Sequence, residues 1–259
     1  MSDSIKQIAN QLNYPKGLLA GQGARVIVSD IDAAKASDVA NKIRGNGGEA
    51  VAVPEDLLRD EYIKELVGKA AEFGGGKIHI IVNNASFTWD AVIHKDTIVA
   101  LHATVPFKLV REAAPYFPTK DGEPRNIVNI SSTSGLHGNA GQINYAMAKA
   151  RVVGLTKTIA KEWGPGFGVR ANTVAFGHIE TRLTANKEAR TFVEVDGQKI
   201  PLGIPEKQKK AGGVVPYVDI PLRRPGSTTE AVSAILAIAS PLSSYISGQT
   251  ISVTGGRNM

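Results

Sequence analysis

The chain has 259 residues, of which 42% are hydrophobic and 21% charged, a composition typical of a globular protein with a sizeable core. It contains no cysteine, which excludes disulfide bonds, thiolate nucleophiles and cysteine-ligated zinc. The formal charge of +6 comes from basic residues that are scattered apart from Lys207, Lys209 and Lys210, so we expect a solvated basic surface and no nucleic-acid partner.

Residues 1–22 predict a docking helix followed by a lead-in to the main domain. Ile5, Ile8 and Leu12 fall on one helical face, and Pro15 follows them. The segment lacks the apolar core of a signal peptide and the arginines of a transit peptide. No apolar run approaches membrane-spanning length, so we expect a cytoplasmic protein without a membrane partner.

Strand-like and helix-like segments alternate along residues 23–259. The predicted strands are 25–30, 50–56, 78–86, 126–132, 169–177 and 249–256, and the predicted helices are 33–48, 61–76, 145–163 and 230–240. Apolar strands separated by amphipathic helices predict a single α/β domain with a doubly wound parallel sheet. The irregular region 181–220, with interspersed glycine, proline and lysine, predicts a lid over a binding site.

The stretch NISSTSGLHGNAGQINYAMAK, residues 129–149, contains the most specific candidate site. Tyr145 and Lys149 are four residues apart on a predicted helix and therefore share one face. Such a pair is weak evidence alone, because it is common on helix surfaces. Ser132 strengthens it, since this residue ends an apolar strand at the carboxyl edge, where open α/β sheets bind ligands.

Further motifs follow in a fixed order: Asp56-Leu57, NNAS at 83–86, NTVAFGHIET at 172–181 and GQTISVTGG at 248–256. With Ser132, Tyr145 and Lys149 they resemble the short-chain dehydrogenase/reductase family, close to its 3-oxoacyl carrier-protein reductase type. The resemblance covers nearly the whole chain from residue 23. It implies a Rossmann-like fold, a nicotinamide cofactor, a small carbonyl or alcohol substrate such as a 3-oxoacyl thioester, and a homo-oligomer, either a tetramer or a dimer.

The resemblance also implies roles for the catalytic candidates. Tyr145 would protonate the carbonyl oxygen, and a cationic Lys149 would lower the tyrosine pKa from its ordinary value near 10. Lys149 would also hold the nicotinamide ribose, and Ser132 would hydrogen-bond the substrate oxygen. The alternative is that these polar residues only cap a helix and a strand. His102 replaces the family's usual asparagine, and it would either extend a proton relay or serve helix packing.

Asp30 ends the strand RVIVSD and would bind the adenosine ribose hydroxyls, which favours NAD over NADP. Its alternative role is to cap the following helix. Asn83 and Asn84 would lie along the cofactor or be purely structural. The complete expected cofactor-binding set is Asp30, Asp56, Leu57, Asn83, Asn84, Ala85, Tyr145, Lys149, Gly177, Ile179 and Thr181. No metal site is predicted.

The glycine-rich phosphate loop of this fold is missing from the expected place. Gly21 and Gly23 precede a strand instead of following one, and only seven residues separate Gly23 from Asp30, against roughly 20 in the dinucleotide fingerprint. The first strand, the glycine turn and most of the first helix are absent, with the break expected between Gln22 and Gly23. The sheet would thereby lose a central strand, and cofactor binding would be impaired.

Two further departures add bulk near the expected nicotinamide position, since Ser86 replaces a glycine and Phe176 a proline of the family pattern. Two hypotheses follow. The chain is either an NAD(P)-dependent oxidoreductase that uses Tyr145 as its acid, or a non-catalytic relative that acts through interaction and oligomerisation.

Overall fold

The computed structural model describes residues 17–86, 96–117, 120–181, 184, 192–195, 198–201 and 217–258. The expected docking helix and most of the expected lid lie outside these residues. The strands are β1 (Arg25–Val28), β2 (Glu49–Ala52), β3 (Ile80–Asn83), β4 (Arg125–Ser132), β5 (Val169–Phe176), β6 (Phe192–Val195), β7 (Gln198–Pro201) and β8 (Thr250–Val253). The helices are α1 (Ala33–Gly45), α2 (Asp60–Phe73), α3 (Asp96–Val99), α4 (Val105–Ala113), α5 (Thr133–His137), α6 (Ile143–Phe167) and α7 (Thr228–Ala239).

The helices begin where side chains satisfy their first backbone N–H groups. Asp32 caps α1 by accepting a hydrogen bond from the Lys35 N–H, and Ser227 and Glu230 form a reciprocal capping box at α7. The buried face of α1 follows the helical repeat of its apolar residues, namely Ala36, Val39, Ala40 and Ile43. Local sequence and burial therefore specify the same helix.

The central sheet is divided into two parallel pieces. One contains β1 and β2, and the other has the order β3-β4-β5-β8. Within the described ranges no strand joins β1 to β3. This is the position of the first strand in the usual 3-2-1-4-5-6 order, so the predicted loss of that strand is confirmed together with the doubly wound α/β class.

Helices cover both faces of the divided sheet. On one face, side chains of α2, α4 and α6 pack on β3, β4 and β5 around the fully buried Phe117. On the other face, α7 packs on β4 and β5, while α1 forms a separate core with β1 and β2. The β1–β2 piece is held to the rest through α2, whose Tyr62 and Leu66 form a buried cluster against which Ile27 of β1 and Leu109 of α4 pack.

Residues 18–23 form a turn immediately before β1. The N–H groups of Gln22 and Ala24 donate to the Leu19 carbonyl at 3.1 and 3.2 Å, and Gly23 closes the turn with φ of +84°. Ala20 is buried against α1 and β1. A left-handed glycine after a helical turn is the geometry of a helix end. These residues therefore correspond to the end of the first helix and not to the expected strand lead-in, which moves the break from Gln22–Gly23 to before Leu18.

Two further elements differ from the sequence expectation. The region 181–220 is not wholly irregular, because β6 and β7 pair antiparallel as a hairpin. In the sequence, residues 196–197 are Asp-Gly, a dipeptide that favours a tight turn between two antiparallel strands and therefore predicts a hairpin. Helix α6 continues beyond Trp163 through Pro165 and ends at Gly168, whose φ is +66°. Across the described residues, no helix combines the length and apolarity needed to cross a membrane.

Candidate active site

A large cleft lies along the gap between the two pieces of sheet. Its volume is about 2120 Å³, and it runs from Arg25 and Lys77 at the amino ends of the strands to the loops at their carboxyl ends. It brings every predicted site residue to its walls: Asp30, Asp56, Leu57, Asn83, Asn84, Ala85, His102, Ser132, Tyr145, Lys149, Gly177, Ile179 and Thr181. The carboxyl edge of this fold is where its ligands bind.

Ser132 occupies the junction between β4 and α5. Its Oγ accepts a hydrogen bond from the Ser134 N–H at 3.2 Å, so the residue caps this short helix. The cap uses Ser132 as an acceptor and leaves the hydroxyl proton available to donate into the cleft. The capping role expected as an alternative and a role toward substrate are therefore compatible in one side chain.

Tyr145 and Lys149 lie one turn apart near the start of α6. The Lys149 ammonium is 5.7 Å from the centre of the Tyr145 ring and donates to the Ile130 carbonyl at 2.9 Å. Only 2% of Lys149 is exposed, and burial lowers its pKa from 10.5 to about 7. Burial thus brings the titration of this lysine close to neutral pH.

Two residues that the sequence motifs did not single out hold Lys149 in position. The Ser131 hydroxyl donates to the Lys149 carbonyl at 2.7 Å. Gly135 packs directly on α6, because a Cβ there would lie 2.7 Å from the Lys149 carbonyl carbon. Both fall inside the stretch 129–149, but only the crossing of α5 and α6 reveals their function.

His102 lies in a five-residue π-helical turn, Ala100–Thr104, between α3 and α4. The imidazole is 2% exposed and meets the Tyr145 ring edge-on, with 5.4 Å between ring centres. π-Helical turns are uncommon and occur frequently at functional sites. The substitution of histidine for asparagine thus places a titratable ring directly against the candidate acid.

Asn83 belongs to a chain of buried polar side chains beneath the cleft. Its amide donates to Asn129 at 2.7 Å, Asn129 donates to Thr156 at 2.8 Å, and Thr173 donates to Thr156 at 2.7 Å. This chain ties β3, β4, β5 and α6 together at the floor of the site. Asn83 thus contributes a hydrogen bond to this chain and also lines the cleft, whereas Asn84 lines the cleft and is exposed.

The structure assigns the helix-capping function, which was one of the two alternatives for Asp30, to Asp32. Asp32 is the helix cap of α1, whereas Asp30 accepts one hydrogen bond from the Asp32 N–H at 3.1 Å and lines the cleft. Across the cleft wall, Asp56 turns the chain after β2 by accepting from the Leu58 N–H at 2.9 Å. Asp30 is therefore not the cap of α1, and its side chain lies at the cleft wall.

The cleft matches a dinucleotide at only one end. Ser132, Tyr145 and Lys149 offer donors and a cation suited to a nicotinamide and its ribose. In this fold a diphosphate is held by backbone N–H groups where a glycine-rich turn enters a helix. At the start of α1 the Asp32 carboxylate accepts from the Lys35 N–H, and the described residues contain no glycine-rich turn that leads into this helix. Among the described residues no group of three His, Asp or Glu side chains could hold a metal ion.

Comparisons with known proteins agree with this geometry. A family model for short chain dehydrogenases matches residues 17–191. The 3-oxoacyl-(acyl-carrier-protein) reductase of Thermotoga maritima is 34% identical over 246 residues, covering 92% of this chain and 89% of its own, and that of Synechocystis is 33% identical over 249 residues, covering 93% and 90%. The solved short chain dehydrogenase of Bacillus anthracis superposes with a TM-score of 0.76 at 24% identity, covering 95% of this chain and 91% of its own.

Proposed function

Because the chain belongs to the short-chain dehydrogenase family, a family of nicotinamide-dependent oxidoreductases, we propose that it transfers hydride between a nicotinamide cofactor and a carbonyl or secondary alcohol. The observation that carries the proposal is the convergence of Ser132, Tyr145 and Lys149 on one cleft, with the lysine buried beneath the tyrosine ring. A buried lysine beside a half-buried tyrosine at the carboxyl edge of a parallel sheet is an arrangement suited to proton transfer.

The proposed roles follow from the chemistry of each side chain. The Tyr145 hydroxyl donates its proton to the carbonyl oxygen of the substrate, while the Ser132 hydroxyl donates a hydrogen bond to the same oxygen. The Lys149 ammonium stabilises the tyrosinate that remains. The cofactor supplies the hydride when bound, held at its nicotinamide ribose by Tyr145 and Lys149 and along its length by Asn84, Ala85, Gly177, Ile179 and Thr181.

His102 is proposed to continue the proton path behind Tyr145. Its ring edge faces the tyrosine ring, and imidazole both donates and accepts protons near neutral pH. Replacement by Asn would test the proposal, because asparagine keeps hydrogen-bonding capacity without titrating. If His102 is part of a proton relay, one apparent pKa of the pH profile of kcat/KM should shift in the variant. If His102 serves only helix packing, the variant should change in stability and keep the same pH profile.

NAD is proposed as the preferred cofactor, with weakened affinity. Asp30 lines the cleft as a carboxylate, which binds ribose hydroxyls and repels a 2′-phosphate. The missing phosphate loop removes the backbone donors that would hold the diphosphate. We therefore expect the main loss in cofactor affinity and a smaller loss in the chemical step.

A 3-oxoacyl thioester is the proposed substrate class, since two 3-oxoacyl-(acyl-carrier-protein) reductases are 34% and 33% identical to this chain. Self-association is also proposed. Three large apolar side chains remain exposed, Phe107 of α4 at 50% and Ile143 and Met147 of α6 at 62% and 44%. Ile143 and Met147 are four residues apart and share one face of α6, as the apolar side chains of a contact between copies would.

The proposal is tested by titrating the chain with NADH and by measuring reduction of a 3-oxoacyl thioester. Tyr145→Phe should lower kcat by roughly 10²–10⁴-fold, a larger effect than the loss of one ribose hydrogen bond has on NADH affinity, because it removes the acid. Tyr245→Phe is the matched control, since Tyr245 is fully exposed at 102% of its reference area. Turnover that survives Tyr145→Phe would exclude this residue as the acid.

The divided sheet favours a second candidate function. A chain that keeps its oligomerisation helices but lacks the central strand would act as a non-catalytic partner of other chains. The NADH titration separates the two candidates. A folded chain that shows neither fluorescence change nor thermal stabilisation at millimolar NADH would favour the non-catalytic function.

A further inference from the structure

Both strands that border the gap in the sheet present an open edge to the same cleft. β1 pairs only with β2, and β3 pairs only with β4, among the strands of the described ranges. Residues of both strands line the cleft along their whole length. The cleft, of about 2120 Å³ in all, also contains Ser132 and Tyr145, and the part of it between the two strands is bordered by an unpaired strand edge on each side. Two such edges suit an extended polypeptide.

The backbone direction at each edge can be read from the hydrogen bonds on its paired side. The Val53 N–H donates to the Val28 carbonyl at 2.9 Å, so Val28 faces β2 and the neighbouring Ile27 directs its N–H and C=O into the cleft. The Asn126 N–H donates to the His79 carbonyl at 2.9 Å, so His79 faces β4. By the same alternation, Ile80 and Val82 of β3 turn their backbone N–H groups toward the opening between β1 and β3, which we name the slot. The Ile80 carbonyl faces the slot as well, whereas the Val82 carbonyl accepts from the Asn84 N–H at 3.0 Å.

Side chains on both faces of the slot are apolar. On the α7 face it is bordered by Leu19, Val232, Ile235, Leu236 and Ala239. On the opposite face it is bordered by Leu66, Val67, Ala70, Val105 and Leu109. A strand buried between two such faces carries apolar residues at successive positions, unlike an edge strand, whose residues alternate between apolar and polar. The slot therefore selects against charged and proline-containing segments.

We propose that this slot binds, in trans, one extended segment of another polypeptide, about four or five uncharged apolar residues long and parallel to β1 and β3. The four-residue lengths of β1 and β3 set the length, because a strand rises about 3.3 Å per residue. Ile27, Ile80 and Val82 supply main-chain hydrogen bonds on both sides, which is strand addition between two edges in place of one. The proposal does not depend on cofactor binding or on turnover.

The probe is the peptide acetyl-Lys-Val-Ile-Ala-Val-Thr-Gly-Lys-amide, added to the full chain and followed by residue-resolved hydrogen exchange. Saturating peptide should slow exchange of the Ile27, Ile80 and Val82 amides by roughly tenfold or more. A peptide with proline in place of its alanine should not bind, because it lacks a central donor.

Two proline variants locate the binding edge. Ile27→Pro removes a donor that points into the slot and keeps the β1–β2 bonds, so it should weaken peptide binding at least tenfold. Ser252→Pro is the control, because the Gly177 N–H donates to the Val253 carbonyl, which turns the peptide groups of Ser252 to the far edge of the sheet. It should leave the peptide affinity unchanged.

Several results would overturn the proposal. The first is absence of binding at millimolar peptide, and the second is protection confined to other amides. A third is protection of the Ile27 and Ile80 amides in the free chain at every dilution, which would show that the chain fills its own slot. Protection that rises with protein concentration alone would assign the slot to a second copy of this chain.

Discussion

Replacing Lys149 with methionine should stabilise the protein below neutral pH while abolishing catalysis. Burial lowers the pKa of this lysine from 10.5 to about 7, which corresponds to roughly 5 kcal/mol of folding free energy. Below pH 7 the ammonium is charged in both states, and the folded chain bears this whole cost. Methionine fills a similar volume without a charge, although it loses the hydrogen bond to the Ile130 carbonyl, at about 1 kcal/mol.

The sign of the pH dependence follows from the lowered pKa. Between pH 7 and 10.5 the unfolded chain retains a proton that the folded chain has released, so the stability of the unmodified protein rises with pH in this window. The advantage of Lys149→Met should therefore be about 3–4 kcal/mol at pH 6.5 and vanish toward pH 10.

Urea denaturation at several pH values between 6.5 and 9.5 measures the effect directly. Lys157→Met is the matched control, because Lys157 is an exposed residue of the same helix. Its difference from the unmodified chain should stay within about 0.5 kcal/mol at each pH. A difference between Lys149→Met and the unmodified chain that does not change with pH would refute the reasoning, as would destabilisation at pH 6.5.

Three other substitutions test neighbouring parts of the structure. Asp30→Ala should raise the affinity for NADPH relative to NADH at least roughly tenfold in a fluorescence titration, and an unchanged ratio would remove Asp30 from the ribose site. Gly135→Ala should cost about 1–3 kcal/mol and lower kcat, because its Cβ would meet the backbone of the catalytic lysine at 2.7 Å, whereas Gly154→Ala, with open space around it, should not destabilise. Asp121→Asn should cost roughly 3 kcal/mol and exceed Arg125→Met in denaturation experiments, because it removes the nearer of the two carboxylates that face the fully buried guanidinium, bound by Asp121 at 2.6 and 2.7 Å and by Glu123 at 3.7 Å.

The sequence predicts the strands well because continuous apolar runs and glycine-terminated helices are local signals. The gap in the sheet was also predictable, since the spacing between Gly23 and Asp30 leaves no room for a strand and a helix. The exact break was not, because LLAGQG has few distinguishing residues and only its turn geometry shows that it ends a helix. The continuation of α6 past Trp163 depended likewise on tertiary packing that overrides the local helix-breaking signal of Gly-Pro-Gly.

The candidate site shows the same division between local and tertiary information. Spacing alone brings Tyr145 and Lys149 to one helical face, but the depth of Lys149 and its lowered pKa arise from the helices and strands packed around it. Asp30 and Asp32 are equivalent helix caps by residue type, and the start of α1 at Ala33 decides between them. The contact of Gly135 with α6 joins two elements and has no one-dimensional signature.

The position of the gap separates the two halves of the expected catalytic machinery. Ser132, Tyr145 and Lys149 lie on β4 and α6, within the larger piece of sheet that has its own core. Asp30 belongs to the β1–β2 piece, whose core with α1 is separate. The relative positions of Ser132, Tyr145 and Lys149 therefore do not depend on the missing strand. The distance from these residues to Asp30 does depend on it, because the missing strand would lie between the two pieces of sheet. A change that closes the gap should therefore raise cofactor affinity and leave the geometry of Tyr145 and Lys149 unaltered.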